Sequence, residues 1–272
     1  MTRLEPLLEE WELSPDGPSR AGDRAALLPV RTRSGRPALL KVGDAAGSHE
    51  PLALQHWHGR GAVELLRADP RRDALLLERL HDEDVGELWD VAACEVVGQL
   101  YGRLHLPAPP RLRRLSAVVD GWLDRLGALP RNAPLPHRLV EQAVAIGRRL
   151  RDDPATDGRL LHGALGFEHV LAADREPWLV VAPRPLSGDP HAEPAPALWS
   201  RWDEVVRSGD VRGTVRRRFH ALVDVADLDE ERARDWVVLR AVVVAAAGLE
   251  HDRAGGRDTV TTCVTVAKAV QE

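Results

Sequence analysis

His162-Gly163-Ala164-Leu165-Gly166-Phe167-Glu168-His169-Val170-Leu171, followed a little later by Ala182-Pro183-Arg184-Pro185-Leu186-Ser187-Gly188-Asp189-Pro190, is the stretch whose reading decides the fold. Two short apolar runs, Val170 to Ala173 and Trp178 to Ala182, flank the polar turn Asp174-Arg175-Glu176-Pro177, the pattern of a tight β-hairpin. Such a hairpin folds Ala182 back beside the loop from Ala164 to His169. Acidic or amide side chains on a loop and a return strand can then converge on one hard cation such as Mg²⁺, which takes oxygen ligands. Here the converging positions carry Ala164, His169 and Ala182.

Upstream, Ala25 to Thr32 and Pro37 to Val42 alternate around Arg33-Ser34-Gly35 and predict a hairpin that places Lys41 on a strand. Ser48 is the expected N-cap of a helix carrying Glu50, Leu52, Ala53 and Trp57 and stopping near Gly59 and Gly61. Strands Ala62 to Arg67 and Asp73 to Leu80 follow, around the turn Asp69-Pro70-Arg71-Arg72. A strand lysine and a glutamate on the next helix form the ion pair with which kinases neutralise nucleotide phosphates. Two unrelated surface charges fit the same spacing. The segment Ser14 to Gly22 has glycines able to bring N–H groups to a phosphate, but not the regular spacing of a protein-kinase loop.

Downstream the pattern is helical: Trp89 to His105, Leu112 to Leu129, Pro136 to Arg151, Glu193 to Arg207, Asp210 to Val225, Asp229 to Leu249 and Thr259 to Val270. Trp199, Trp202 and Trp236 are expected as core anchors. The aspartates of Asp152-Asp153-Pro154-Ala155-Thr156-Asp157-Gly158 lie in a turn, where carboxylates are ordinarily solvated.

The 272 residues, 44% of them apolar, can bury a sizeable core. A net charge of −5 gives no electrostatic case for nucleic acid, and Arg216-Arg217-Arg218 is expected as a solvated helix face. Cys94 and Cys263 lack metal or disulfide spacing and are expected as buried thiols. No apolar leader opens the sequence, and the most apolar run, Trp236 to Leu249, is too short for a membrane span and carries Arg240, so a cytoplasmic protein without a membrane partner is expected.

The two central segments resemble the aminoglycoside phosphotransferase family, most closely its streptomycin 6-phosphotransferase and hydroxyurea phosphotransferase branch. The family pattern is His-Gly-Asp-Leu-His-x-Glu-Asn-Val-Leu, then Asp-Pro-Lys-Pro-Leu-x-Gly-Asp-Pro. This chain keeps His162, Gly163, Leu165, Glu168, Val170 and Leu171, then Pro183, Pro185, Leu186, Gly188, Asp189 and Pro190. The resemblance runs from Trp11 to Gln271. It implies an α+β, bilobal protein-kinase-like fold: a β-rich N-lobe of nucleotide-binding type over residues 1–80, and a mainly helical C-lobe over 81–272 with the catalytic loop and acceptor region.

The same resemblance implies ATP as the nucleotide, Lys41 and Glu50 at its phosphates, and Leu75 to Leu80 as the hinge. Glu78 and Leu80 would meet adenine there, although an ordinary buried strand has the same leucines. The family transfers the γ-phosphoryl group to a hydroxyl held by an aspartate, while an asparagine and a second aspartate position metal ions. Carried over, those positions are Ala164, His169 and Ala182. A methyl group accepts no proton, and losing a positioned base costs on the order of 10² to 10⁴ in rate, about 3 to 5 kcal/mol of barrier. Mg²⁺ loses its two side-chain anchors.

Asp189 and Glu168 are the nearest acids that could hold a metal instead. Glu168, adjacent to a strand position, is expected to face away from 169, and Asp189 sits in a Gly-Asp-Pro turn whose role is structural by resemblance. Ala241 to Ala247, in the region that lines the acceptor pocket of the resembling enzymes, offers no acid or amide. The expectation is a family member impaired or inactive in catalysis that persists as a nucleotide-binding, ligand-binding or protein-interaction module, with a nucleotide or antibiotic-like small molecule as ligand and its protein partner unknown. The alternative is an active small-molecule phosphotransferase, acting on an antibiotic or hydroxyurea through displaced acids.

Overall fold

A computed structural model describes residues 4–22, 25–43, 49–250 and 256–272. In chain order it contains α1 (Glu5–Glu10), β1 (Ser14–Pro15), β2 (Arg20–Ala21), β3 (Ala25–Arg31), β4 (Pro37–Gly43), α2 (Glu50–Trp57), β5 (Leu65–Asp69) and β6 (Ala74–Glu78). Then come α3 (Asp90–Leu104), α4 (Leu115–Gly127), α5 (His137–Asp152), β7 (Arg159–Leu161), β8 (Val170–Ala172), β9 (Trp178–Val180) and β10 (Leu186–Gly188). The chain closes with α6 (Ala195–Trp199), α7 (Trp202–Arg207), α8 (Val211–Val225), α9 (Glu230–Glu250) and α10 (Gly256–Ala269).

Two compact units result: residues 1–83 with 171–184, and residues 84–170 with 185–272. In the first, an antiparallel sheet runs in the order β1-β3-β4-β6-β5, with β2 also on β3. Period-two alternation sorts its side chains. Leu28 and Val30, Ala38, Leu40 and Val42, and Ala74 and Leu76 turn to one face, where they pack with Leu7, Trp11 and Leu13 into a buried cluster. Lys41, one residue out of step with Leu40 and Val42, is left on the other face, in register with Leu27 on one side and Leu75 on the other. There α2 buries Ala53, Leu54 and Trp57 and brings in Glu50.

Both expected hairpins of this unit form, with β3 and β4 close to the bounds read from sequence, β5 shifted from 62–67 to 65–69 and β6 trimmed from 73–80 to 74–78. The Ser48 cap lies outside the described residues. At the helix start the residue before Glu50 is His49, which makes no side-chain cap hydrogen bond.

The second unit is built around α9, whose middle, from Trp236 to Ala246, is apolar apart from Arg240: Ala233, Trp236, Val237, Val238, Leu239, Ala241, Val242, Val243, Ala245 and Ala246 are all buried. A stretch apolar on nearly every side belongs in the interior, and α4, α5, α6, α8 and α10 all pack against α9. The Ala241 to Ala247 stretch is thus core, and its lack of acids follows from packing.

Three expectations are corrected here. The helix read over Glu193 to Arg207 is two, α6 and α7, because Ser200 is extended and Arg201 takes a left-handed φ of 49°. Trp199 and Trp202 are only half-buried, leaving Trp236 as the anchor. Arg218 is not solvated. It is buried, ion-paired to Asp90 at 2.5 Å, and donates to the Ser200 carbonyl at 2.6 Å, where it closes the C-terminal end of α6.

Cys94 and Cys263 are buried free thiols, and burial pushes both up to about 12. Among the described residues no helix is long and apolar enough to cross a membrane.

Candidate functional site

In the first unit, Lys41 Nζ donates to both carboxylate oxygens of Glu50, at 2.8 and 2.6 Å. The side chains are 19% and 5% exposed, so this is a largely desolvated, two-pronged pair rather than a surface contact. The strand register and the start of α2 produce it together. An ammonium held by a carboxylate is a compact, positioned point charge of the kind lysine presents to phosphate.

Glu78 ends β6, and Leu80 lies just beyond it, half-buried. The Glu78 carboxylate accepts from Arg175 Nε at 2.9 and 3.0 Å and from the Glu64 amide at 3.1 Å. Its side chain is therefore engaged within the protein.

Ala182, past the end of β9, has a φ of 52°. That left-handed conformation costs an L-residue with a Cβ roughly 1–2 kcal/mol, and aspartate and asparagine tolerate it better than alanine does. The backbone at 182 thus has a shape suited to Asp, Asn or Gly while the side chain is a methyl.

In the second unit the loop from His162 to His169 is gripped from below. Glu193, fully buried, accepts from the amides of His162 at 3.0 Å and Gly163 at 2.8 Å. Arg240 donates to the carbonyls of Gly163 at 3.0 Å and Ala192 at 2.6 Å. Both sides of Gly163 are held, and its φ of 82° is one that glycine adopts without strain.

Burial pushes the Glu193 carboxyl up, but His105, His162 and Arg240 outweigh it and hold it below the usual range. His105 Nε2 stands 3.8 Å from Glu193, an ion-pair distance beyond hydrogen-bond reach. The Tyr101 hydroxyl, stacked by its ring on His105 at 5.1 Å, has no hydrogen-bond partner among the described residues, and burial drives it well above the ordinary tyrosine range.

Ala164 has only a methyl side chain; its amide donates to His162 Nδ1 at 3.4 Å and its carbonyl accepts from the Gly166 amide at 3.0 Å. Residues 167–169 form a 3-10 turn rather than a strand, so the expected alternation between 168 and 169 does not operate. Glu168 lies instead beside His169, 3.3 Å from its Nδ1, and accepts from Ser200 Oγ at 3.3 Å. His162 and His169 sit with ring centroids 5.8 Å apart. Among the described residues no three His, Cys, Asp or Glu side chains are grouped to hold a metal ion.

Asp189 is buried and saturated. Its Oδ1 accepts from the His191 amide at 3.0 Å and from His191 Nδ1 at 2.5 Å; its Oδ2 accepts from Arg232 Nε at 2.5 Å and Trp236 Nε1 at 2.7 Å. Burial raises the carboxyl, and the bonds from His191 and Trp236 more than reverse this, so it stays ionised below the usual range. The loop aspartates are likewise employed and not merely solvated. Asp153 pairs with Arg232 at 2.6 Å, and Asp157 accepts from Ser116 Oγ at 2.6 Å.

Glu193, Arg240 and Arg175 were not identified from sequence as site residues. Arg240 left one trace, a lone charge in the apolar run Trp236 to Leu249, and a lone charge in a core helix needs a partner. Glu193 and Arg175 left none, since the groups they hold, the His162 and Gly163 amides and the Glu78 carboxylate with the Gly59 and Ala62 carbonyls, lie about 30 to 116 residues away.

A β-sheet unit with a strand-lysine and helix-glutamate pair, and a helical unit with a buttressed His-Gly loop, define a protein-kinase-like phosphotransferase fold. The profile of the aminoglycoside/hydroxyurea antibiotic resistance kinases matches residues 10–252. Streptomycin 6-kinase of Streptomyces glaucescens is 38% identical, over 98% of this chain and 88% of its own length. Hydroxyurea phosphotransferase of Kitasatospora aureofaciens is 40% identical, over 88% and 70%. Among solved structures, an aminoglycoside phosphotransferase in ternary complex with AMP-PNP and hygromycin B shares the fold at a TM-score of 0.64 and 16% identity, covering 100% of this chain and 98% of that one. The chain belongs to the aminoglycoside/hydroxyurea antibiotic resistance kinase family.

Proposed function

We propose that this chain is a nucleotide-binding member of the family that does not transfer phosphate. The observation that carries the reading is the set Ala164, His169 and Ala182 at the positions that the resemblance assigns to base and metal ligands, in a chain that keeps the Lys41–Glu50 pair. Lys41 supplies the charge for the α and β phosphates, Glu50 holds it, and the strand end at Glu78 and Leu80 offers backbone to adenine. A methyl at 164 cannot orient or deprotonate an acceptor hydroxyl, and an imidazole and a methyl at 169 and 182 give Mg²⁺ no oxygen.

Rescue by displaced acids has little support. Asp189 already serves four donors, and moving it would strand the Trp236 indole and break one of the two carboxylate pairs of Arg232. Glu168 is exposed and turned to Ser200 and His169. The ligand is an adenine nucleotide bound without metal, with an antibiotic-like second ligand by analogy with the relatives.

The test is ATP binding by calorimetry with and without Mg²⁺, alongside turnover of streptomycin and hydroxyurea. Metal-independent binding lost in Lys41→Met, with no product above a heat-killed control, is expected. Phosphorylated product, or binding indifferent to Lys41, overturns the reading.

A further inference from the structure

Arg175, at the tip of the β8–β9 hairpin, spends its whole guanidinium on the first unit. Nε meets the Glu78 carboxylate at 2.9 and 3.0 Å, Nη1 the Gly59 carbonyl at 2.6 Å and Glu176 at 2.9 Å, and Nη2 the Ala62 carbonyl at 2.6 Å. Gly59 and Ala62 belong to the turn between α2 and β5. One side chain therefore ties the hairpin to the exit of α2 and to the last residue of β6.

The next residue is tied in a different direction. Arg79 Nη1 meets Asp16 at 2.9 Å, Nη2 the Val30 carbonyl at 2.8 Å, and Nε the Ala38 carbonyl at 3.2 Å. Asp16 lies in the loop between β1 and β2, and the Arg79 and Arg31 guanidiniums hold its carboxyl below the usual range against the opposing effect of desolvation. Adjacent residues at a strand end point to opposite sides. Glu78 is thus anchored to the hairpin, and Arg79 to the Ser14–Gly22 loop and the sheet.

Such double anchoring exceeds what the strand needs. The β4–β6 ladder already fixes β6 as far as Glu78, opposite Ala38. What the two arginines add is a fixed backbone course just where the ladder ends and the chain enters Leu80.

We propose that Arg175 and Arg79 are positioning residues for the purine: acting through Glu78 and the strand end, they preset the backbone that meets adenine, without touching the nucleotide themselves. This rests on the nucleotide-binding reading above. The guanidinium fork is essential at 175, because four acceptor groups surround it in different directions and a lysine ammonium cannot span them.

Adenosine and ADP separate this role from general stability, because adenosine has the purine but no phosphate. Kd values for both are measured by calorimetry on the full chain, below the onset of unfolding of each variant. In Arg175→Met, adenosine and ADP weaken by the same factor, roughly tenfold, and Arg175→Lys behaves alike. In Lys41→Met, ADP weakens and adenosine does not.

Unchanged adenosine affinity in Arg175→Met, even with a lowered melting temperature, overturns the proposal and leaves Arg175 a structural tie. If Arg175→Met does not fold, Glu78→Gln weakens the same contact while keeping the Glu64 hydrogen bond, and the same comparison decides. Wild-type protein that binds neither ligand brings down the nucleotide reading and this one together, whereas wild-type binding with indifferent variants brings down this one alone.

Discussion

Asp189→Asn separates a structural carboxylate from a displaced catalytic one. The native side chain holds two donors on each oxygen, His191 twice on Oδ1 and Arg232 with Trp236 on Oδ2. An asparagine has one acceptor oxygen, so whichever way the amide turns, its NH₂ faces two N–H groups. Two buried hydrogen bonds, at least one of them charge-assisted, become donor–donor contacts. At about 1.5–3 kcal/mol for each bond to a charged group, with Arg232 still paired to Asp153, the loss of two is about 3–5 kcal/mol.

Against a total stability of roughly 5–15 kcal/mol this is a large share, and for a chain of this size it lowers the melting temperature by about 6–20 °C. Urea denaturation followed by tryptophan fluorescence reports the change directly, because the Trp236 indole is one of the stranded donors. A variant with wild-type midpoint but altered phosphoryl transfer would refute the structural assignment and restore Asp189 as a chemical group.

Lys41→Met removes a charge-assisted bond from the Glu50 carboxylate, only 4% exposed, and should cost about 1.5–3 kcal/mol in a thermal-shift assay; an unchanged midpoint would show that the pair contributes nothing to folding. Ala182→Gly relieves a left-handed φ of 52° at the expense of a looser unfolded chain, so a gain of about 0.5–1 kcal/mol is expected in the urea midpoint, and a loss would contradict the strain. Acid should destabilise the second unit in a defined window. Asp189 and Glu193 are both held below their ordinary 3.8 and 4.5, so the unfolded chain binds protons first. Their contribution is complete above about pH 5 and is lost as pH falls through those values and below. Stability flat from pH 6 to pH 3 would mean that neither carboxylate is specially held.

The sheet and the helix order were legible in sequence because each rests on a local pattern, and the same kind of pattern carries the proposed reading of three positions. Alternation places Lys41 on a strand face, a helix beginning at Glu50 follows, and the letters around Ala164, His169 and Ala182 match the family's motifs on both sides. Patterns with period 2 or 3.6 survive translation into structure because side-chain direction is set by the backbone within a few residues. The misreadings arise where that locality fails. The split at Ser200–Arg201 depends on Arg218, which reaches the Ser200 carbonyl from α8, and Arg218 is buried because Asp90 waits for it across the helical unit.

The same reason divides the candidate site. Sequence alone determined that Ala164, His169 and Ala182 stand where the resemblance places the base and metal ligands, since a methyl is a methyl in any fold. Only the tertiary structure decided what the remaining acids and bases are engaged in. Asp189 is saturated by residues from 191 to 236, Glu193 holds the amides of His162 and Gly163 about thirty positions upstream, and Arg175 reaches Glu78 and Gly59, partners separated from it by 97 and 116 residues. A hydrogen bond needs about 3 Å in space and carries no requirement on separation along the chain. Lys41 and Glu50, nine residues apart, could therefore be paired from sequence, whereas the ties that fix Glu78, Asp189 and the His162–Gly163 loop could not.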